Sequence, residues 1–281
     1  MRANLSPFTL LSVPALILAV ALAGCGSNNS SNKSGTSTKN LGLKSAGVLS
    51  VCTDATYPPM EYVPPSNPNT IVGADADLAK ALAKQIHLRA NMINTSFDSI
   101  IPALQAKRCD IIMSSMSNTP AREKQVNFIN YMVAEEAVIV KTRSSIHSNG
   151  YAGLCGTTVA VEKATTELDG LNQQNKSCSK KINILPYTAD TDAFQAFYNG
   201  HADAYTGDLP VVLHYISDPQ YKGKLRKAGN PVKLNEPYAI ALRKSSGNLK
   251  SALTTALKTI ENNGTYKKIL NKWGVGTASL K

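Results

Sequence analysis

Three closely spaced serines and an arginine form the most unusual polar segment of the chain. Residues 111–124 read IIMSSMSNTPAREK, a short apolar strand followed by hydroxyl side chains at Ser114, Ser115 and Ser117. Thr119 and Pro120 are typical of a helix start, with threonine as the N-cap and proline at the first helical position. Arg122 then lies in the first helical turn, where the macrodipole favours acids over cations. An arginine in such a position is a candidate for binding a carboxylate.

Other polar residues also follow predicted strands. Asp54 follows the first strand, and a second group lies at a later helix start and strand end, at Thr165, Thr166 and Asp208. These residues could instead have purely local structural roles rather than bind a ligand. Asp208 and Thr166 would make good N-caps, and Asp54 could cap a helix or order a turn. Together these residues offer a carboxylate binder, an ammonium binder and helix N–H groups. The set suits a zwitterionic ligand.

The elements that must position these residues alternate between strand and helix. Apolar strand patterns occur at residues 48–53, 89–95, 110–114, 157–161, 182–187, 202–205 and 238–242. Helical periodicity occurs at residues 77–86, 97–106, 166–171, 191–198, 209–216 and 248–273. This order predicts an α/β protein with two similar units, each a mostly parallel sheet flanked by helices. Ligands of such sheets bind at the carboxyl ends of the strands.

The N-terminal segment predicts export. Arg2 precedes a mostly apolar stretch at residues 8–23, which is short for a membrane span and typical of a signal peptide. It ends in Leu-Ala-Gly-Cys, which resembles the lipobox of bacterial lipoproteins and predicts lipidation of Cys25 after removal of residues 1–24. An ordinary signal peptide that ends at a cysteine by chance is the alternative.

Residues 26–40 read GSNNSSNKSGTSTKN and contain no large apolar side chain. Residues 25–40 are therefore predicted to be a lipid-anchored flexible tether, with a reach of roughly 20 Å. The chain has 30 Lys and Arg against 19 Asp and Glu residues, a formal net charge of +11. The basic residues are scattered without aromatic clusters, so we predict no nucleic-acid partner.

Four cysteines remain after Cys25, and none forms a C-x-x-C pair, so no metal site is predicted. An exported chain permits disulfides. Cys155 and Cys178 flank one strand–helix unit, and we predict that they are bridged. The pair Cys52 and Cys109 stays open at this stage, because the offset between parallel strands could exceed the reach of a disulfide.

Four segments carry a resemblance to a known family: VCTDATYPPMEY at residues 51–62, GADADLAKALAKQI at 73–86, FDSIIPALQAKRCDIIMSSMSNTPAREK at 97–124 and NGTYKKILNKWG at 263–274. They resemble family 3 solute-binding proteins, the extracytoplasmic receptors of ABC importers for polar amino acids. The motif is most similar to that of the lysine/arginine/ornithine- and histidine-binding members. The resemblance implies a type II two-lobed fold with a two-strand hinge, and predicts one lobe at residues 41–133 plus 238–281 and the other at 134–237.

The resemblance also assigns roles to single residues. Arg122 matches the arginine that holds the α-carboxylate of the ligand, and Ser115 and Ser117 match its hydroxyl and N–H partners. Thr165 and Thr166 match the residues of the second lobe that add N–H donors, and Ser114, at the same strand end as Ser115, is predicted to belong to the site as well. Asp208 matches the acid that holds the α-ammonium. The aromatic residues that sandwich the ligand side chain match Tyr57 and Phe97. Ala164 stands where the family usually has glycine, which would stiffen that turn.

The resemblance predicts a cationic ligand as well. Asp54 matches the acid that meets the distal cation in receptors for basic amino acids, and Glu162 occupies a position that varies with the ligand. Burying both without a cation would be costly, so we predict arginine, lysine, ornithine or histidine. If Lys163 or solvent satisfies Glu162, the pocket would instead accept glutamine or another neutral polar amino acid.

The resulting expectation is a monomeric, non-enzymatic receptor whose partners are a free amino acid, a permease and, through its anchor, the membrane. No cofactor is predicted. One rival is a periplasmic dehydratase on the same scaffold, for which Glu167 would be the candidate general acid. A second rival is the sensor domain of a receptor kinase, which would need a downstream membrane segment.

Overall fold

The computed structural model describes residues 41–279. Its strands are β1 Val48–Thr53, β2 Thr56–Tyr57, β3 Glu61–Tyr62, β4 Arg89–Asn94, β5 Ile111–Ile112, β6 Asn127–Met132, β7 Glu135–Lys141, β8 Thr158–Glu162, β9 Asn183–Tyr187, β10 Ala204–Asp208, β11 Leu225–Lys227, β12 Val232–Lys233 and β13 Tyr238–Leu242. Its α-helices are α1 Ala74–Gln85, α2 Phe97–Gln105, α3 Pro120–Glu123, α4 Thr166–Ser177, α5 Asp190–Tyr198, α6 Leu209–Ser217, α7 Gly247–Asn262 and α8 Thr265–Lys272. Signal peptide, lipidation site and tether lie outside the described residues.

The strands form two large sheets, which is the expected two-lobed α/β architecture. The first sheet has the order β4-β1-β5-β13-β6, with β1 parallel to β4 and β5, and β13 antiparallel to β5 and β6. The second has the order β11-β7-β10-β8-β9, with β12 also paired to β7. Strand β8 is parallel to β9 and β10, whereas β7 is antiparallel to β10. The chain passes between the sheets at residues 133–134 and again at 234–237.

Helices cover the sheets through apolar faces that the sequence already displays. In α1 the buried side chains include Leu78, Leu82 and Ala83, and in α7 they include Leu249 and Leu253. This spacing of three to four residues places them on one side of each helix, as a helix packed on a sheet requires. The buried apolar side chains form one large cluster, which includes residues of both sheets, and two smaller clusters.

The structure corrects several element boundaries. The single closing helix expected at residues 248–273 is two helices, because Gly264 adopts φ +78° and ends the first one. Strand β5 is only two residues long, and the serines that follow it belong to a loop. Six strands had not been predicted: β2, β3, β6, β7, β11 and β12. Strands β11 and β12 are short and pair only with β7, so neither has a long apolar pattern of its own.

Two disulfides stabilise the described part of the chain. The predicted Cys155–Cys178 bridge is present, with the Cα atoms 5.5 Å apart. Cys52 and Cys109 are also bridged, at a Cα separation of 5.7 Å. The concern about strand offset does not apply, because Cys109 precedes β5 and lies in the turn that enters it, next to β1.

Candidate ligand-binding site

A cavity of about 330 Å³ lies between the two sheets, where the carboxyl ends of strands from both sheets meet. Every residue that the sequence predicted for ligand binding lines it: Asp54, Tyr57, Phe97, Ser114, Ser115, Ser117, Arg122, Glu162, Thr165, Thr166 and Asp208. Two further acids complete the lining, Glu61 and Glu167. Strands β1, β5, β8 and β10 all end at this cavity, which is the position expected for a ligand of parallel α/β sheets.

Arg122 is held in place from both sides of the cavity. Its helix begins as expected, because the Thr119 side chain accepts a hydrogen bond from the Arg122 backbone N–H at 3.3 Å. Nη1 donates to the Ser117 carbonyl and Nη2 donates to the Ala164 carbonyl, each at 2.9 Å. The guanidinium carbon lies 5.3 Å from the centre of the Phe97 ring. Burial lowers the pKa of Arg122, and the nearby Glu167 carboxyl opposes that shift.

On the first sheet's side of the cavity, buried acids hold Ser114 and Ser115 in place. The Ser114 hydroxyl accepts from the Asp54 backbone N–H at 2.9 Å and donates to Glu61 at 3.0 Å. Ser115 has φ +44°, and its backbone N–H donates to Asp75 at 2.8 Å. Its hydroxyl oxygen is buried and makes no hydrogen bond. Ser115 therefore offers the cavity a hydroxyl, whereas the Ser114 hydroxyl already has both a donor and an acceptor.

The second sheet contributes a helix start and an acid. Thr165 is the N-cap of α4, and its hydroxyl accepts from the Leu168 N–H at 3.2 Å. Thr166 is the first helical residue, so the cap role considered for Thr166 belongs to Thr165. Asp208 stands at the N-cap position of α6, as the local alternative expected, but its side chain makes no cap hydrogen bond. Its backbone N–H donates to the Tyr57 hydroxyl at 2.7 Å, which leaves its carboxyl facing the cavity.

Three hydrogen bonds join the two sides of the cavity directly. Besides the bonds of Arg122 to Ala164 and of Asp208 to Tyr57, the Asp190 backbone N–H donates to the Thr56 hydroxyl at 3.1 Å. The carboxyl of Asp54 also interacts with that of Glu162 across the same gap. The cavity is therefore closed by contacts between the two sheets' strand ends.

The electrostatics of the cavity are strongly unbalanced. Five carboxyl groups line it, against the single guanidinium of Arg122: those of Asp54, Glu61, Glu162, Glu167 and Asp208. Burial raises the pKa of every one of them, and that of Asp208 reaches about 8. Buried carboxylates without cations are costly, so the site favours either bound protons or positive charge from a ligand.

Among residues 41–279, Glu162 forms no ion pair with a cation. Its Oε1 atom is buried without a hydrogen bond, and Lys163 instead donates to the Thr188 hydroxyl at 3.2 Å. The alternative in which Lys163 satisfies Glu162 is therefore wrong. Asp54 does have a local role, because it accepts from the Phe97 N–H and the Thr56 hydroxyl, both at 2.7 Å. That role and a ligand contact are compatible, since a carboxylate accepts several hydrogen bonds.

The sequence did not identify Glu61 as a site residue, and it suggested Glu167 only as the general acid of the dehydratase alternative. Glu61 pairs with Tyr57 across the β2–β3 hairpin, which places both side chains at the cavity. The signal for this was the tight Pro-Pro turn between the two residues. Glu167 follows Thr166 in the first turn of α4, and its Oε1 atom is buried without a hydrogen bond.

The geometry suits a small molecule with one anionic and two cationic groups. Arg122 and the N-terminal turn of α4 form the anion-binding side, and the acids form the cation-binding side. Within residues 41–279, no group of three or more His, Cys, Asp or Glu side chains could hold a metal ion. No helix in the same residues is long and apolar enough to cross a membrane.

Comparison with known proteins identifies the family of the chain. The chain is 32% identical over 234 residues to ABC transporter arginine-binding protein 1 of Escherichia coli, covering 83% of this chain and 93% of the relative. An ancestral arginine-binding protein bound to arginine aligns with a TM-score of 0.74 at 33% identity, over 81% of this chain and 98% of that one. An ancestral arginine-binding protein bound to glutamine has a TM-score of 0.74 at 32% identity, over 82% and 99%. Residues 49–276 match the model of the bacterial extracellular solute-binding proteins, family 3, and the chain belongs to that family.

Proposed function

We propose that this protein is the extracytoplasmic receptor of an ABC importer and binds a cationic amino acid, with arginine as the first candidate. The observation that carries the proposal is the excess of buried carboxyl groups over cations in the cavity, five against one. The arginine-binding relative in Escherichia coli and the arginine-bound ancestral protein support the choice of arginine.

In the proposed complex the ligand's α-carboxylate pairs with Arg122 and the N–H groups at the start of α4. The α-ammonium pairs with Asp208. The side chain extends between Tyr57 and Phe97, so that its distal cation meets Asp54 and Glu162. Aromatic rings beside a cation add cation–π attraction to these ion pairs.

Ligand capture is proposed to be a hinge motion of two lobes, residues 41–133 with 238–281 and residues 134–237. The two passages of the chain between the sheets provide the hinge, since few residues there need to change conformation. The hydrogen bonds that already join the sheets would form on closure. We infer that the receptor works as a monomer, without a cofactor and without catalysing a reaction.

The decisive experiment is calorimetry of the purified protein with the twenty common amino acids, ornithine and citrulline. We expect arginine to bind most tightly, followed by other cationic amino acids. A preference for glutamine over every cationic amino acid would contradict the proposed ligand class but not the receptor function. Glutamine is the second candidate because an ancestral relative is bound to it. If no amino acid binds, the receptor function itself is wrong.

A catalytic role for Glu167 is tested separately. Prephenate incubated with the purified protein should remain unchanged, because Arg122 and Asp208 complement an amino acid. Turnover of prephenate that is lost in Glu167→Gln would support the dehydratase alternative and contradict a purely binding function.

Anchoring at Cys25 is proposed from the sequence alone, and with it a location outside the cytoplasm at the cell membrane or in the periplasm. Metabolic labelling with palmitate should mark the wild-type chain, and Cys25→Ser should abolish the label. Every residue named in the cavity lining lies within residues 41–279, so both proteins should bind ligand equally. An unlabelled wild-type chain would contradict the anchor.

A further inference from the structure

The end of the first sheet that lies away from the cavity contains a concentration of positive charge. The sheet pairings place the start of β1 beside the start of β4, with Val48 opposite Arg89, and the end of β13 beside the start of β5, with Leu242 opposite Ile111. The segments that meet at this end are residues 41–48, 84–89, 105–110, 124–127 and 243–250, and we call them the basic pole.

Exposed cations dominate the basic pole: Lys44, Lys84, Arg89, Lys107, Arg108, Lys124 and Lys244. The only acid in these segments is Asp110, which is fully buried and bonded to the backbone N–H groups of Lys44 and Ser50. Glu123, just outside the segments, is the nearest exposed acid in sequence. The exposed acid Asp98 lies at the opposite end, in the first turn of α2. Cations and acids are mixed at that end, where Lys272 contacts Asp77 at 2.6 Å, whereas the exposed charges of the basic pole are all positive.

Local helix electrostatics explain only part of this charge. Lys84 and Lys107 lie at the ends of α1 and α2, where cations complement the helix macrodipole. Lys244 precedes the start of α7, where the macrodipole disfavours cations and where the first turn has no acid, and its Nζ donates to the Glu123 carbonyl at 2.6 Å. Lys44 belongs to no helix, and its Nζ donates to the Arg108 carbonyl at 2.9 Å. An external anionic surface would be complementary to all of these residues at once.

The same end holds the first described residue, and so the attachment point of the predicted tether. Leu41 and Lys44 line a hollow of about 1070 Å³ together with Lys107 and the residues that begin α7. The tether, residues 26–40, contains Lys33 and Lys39 and no acid. Its composition predicts a reach of roughly 20 Å, and an anchor at that distance would keep the basic pole within a few Debye lengths of the bilayer.

We propose that the basic pole is a membrane-contact surface that lies against anionic phospholipid headgroups. The inference rests on the proposed anchor for the proximity of the bilayer, but not on the identity of the amino-acid ligand. Lysines and arginines close to an anionic leaflet are attracted to it, and several together give stable peripheral binding. Because the cavity lies at the other end of the strands, this orientation leaves it open to ligand while the receptor stays at the membrane.

The test is sedimentation of the chain from Gly26 onward with unilamellar vesicles. This chain keeps every residue that the structure describes and contains no acyl chain, so binding reports the protein surface alone. We expect binding to vesicles of equal parts phosphatidylglycerol and phosphatidylcholine at low salt. Binding should be absent with phosphatidylcholine alone and should be lost when salt screens the charges.

Two matched variants separate the basic pole from overall charge. Lys107→Glu with Arg108→Glu and Lys244→Glu should weaken binding to the anionic vesicles by at least about tenfold. Lys180→Glu with Lys181→Glu and Lys222→Glu changes exposed lysines of the other lobe by the same charge and should bind like the wild type. Equal loss in both variants, or no binding by the wild type, would overturn the proposal.

Amino-acid binding is measured on the same three proteins. None of the altered residues lines the cavity, so calorimetry should give unchanged affinity in each. If the wild type binds amino acids but not vesicles, the membrane-contact proposal is wrong and the receptor function stands. If the wild type binds no amino acid, the receptor function is wrong, and the vesicle measurement is judged independently of it.

Discussion

The Nη2 atom of Arg122 donates a 2.9 Å hydrogen bond to the backbone carbonyl of Ala164. Arg122 lies in α3, which follows strand β5 of the first sheet, and Ala164 follows strand β8 of the second sheet. This bond therefore closes the cavity between the two sheets. Ala164 has φ +62°, a conformation that alanine rarely adopts. The proposed carboxylate-binding residue and a strained turn are therefore parts of one contact.

Arg122→Ala should remove binding of every amino acid, since no other cation lines the cavity. Loss of one partner from a buried charged pair costs about 2–5 kcal/mol, or about 30-fold or more in affinity. Calorimetry with arginine measures the effect. Arg143→Ala removes an exposed arginine and is the matched control. Wild-type affinity in Arg122→Ala would show that the site has been assigned wrongly.

Asp54→Asn combined with Glu162→Gln should weaken arginine or lysine by about 100-fold, taking about 3 kcal/mol for the lost charge pair. Neutral amino acids should lose less, because they have no distal cation. The matched control is Glu123→Gln with Asp192→Asn, which removes two exposed carboxylates. An equal loss for arginine and glutamine would mean that these acids organise the site without choosing the ligand.

Ala164→Gly should stabilise the ligand-free protein by about 0.5–1 kcal/mol, because glycine adopts positive φ without strain. Urea unfolding followed by circular dichroism measures the change. Ala252→Gly, in the interior of α7, should instead lower the free energy of unfolding by about 1 kcal/mol. If both variants are destabilised alike, the turn at Ala164 is not strained.

Stability of the ligand-free protein should fall as the pH rises from about 5 to 9. Burial raises the pKa values of Asp208 and Asp190 to about 8 and that of Asp75 to about 6. A carboxyl with a raised folded-state pKa keeps its proton better when folded, so its contribution is present at low pH and lost as the pH passes through that value. Thermal unfolding at a series of pH values measures this.

Asp208 faces Tyr57, Tyr238 and three further acids, Glu136, Glu167 and Asp190, and among the described residues Arg122 is the cation that interacts with it. Asp208→Asn should therefore flatten the pH dependence, because the amide cannot ionise. The increase in melting temperature caused by arginine should grow with pH, since the ligand supplies the charge that protons supply at low pH. A melting temperature that rises with pH would contradict the assignment of these acids as buried and uncompensated.

Much of the architecture was accessible from local pattern. Alternating apolar strands and amphipathic helices predicted the α/β order, and Thr119 with Pro120 predicted the start of α3. Elements whose existence depends on a partner strand were not accessible. Strands β11 and β12 are short and are ordered by pairing with β7, and the break at Gly264 looked like part of one continuous helix.

The sequence by itself determined which residue types stand at the strand ends, and through the family motifs which of them form one site. Only the tertiary structure decided the balance of charge there. Glu61 reaches the cavity through a hairpin, and Lys163 turns away from Glu162 to Thr188. Burial and electrostatic interaction depend on distances between segments far apart in the chain, which a linear pattern does not contain. That is why the acidic excess of the cavity emerged only from the fold.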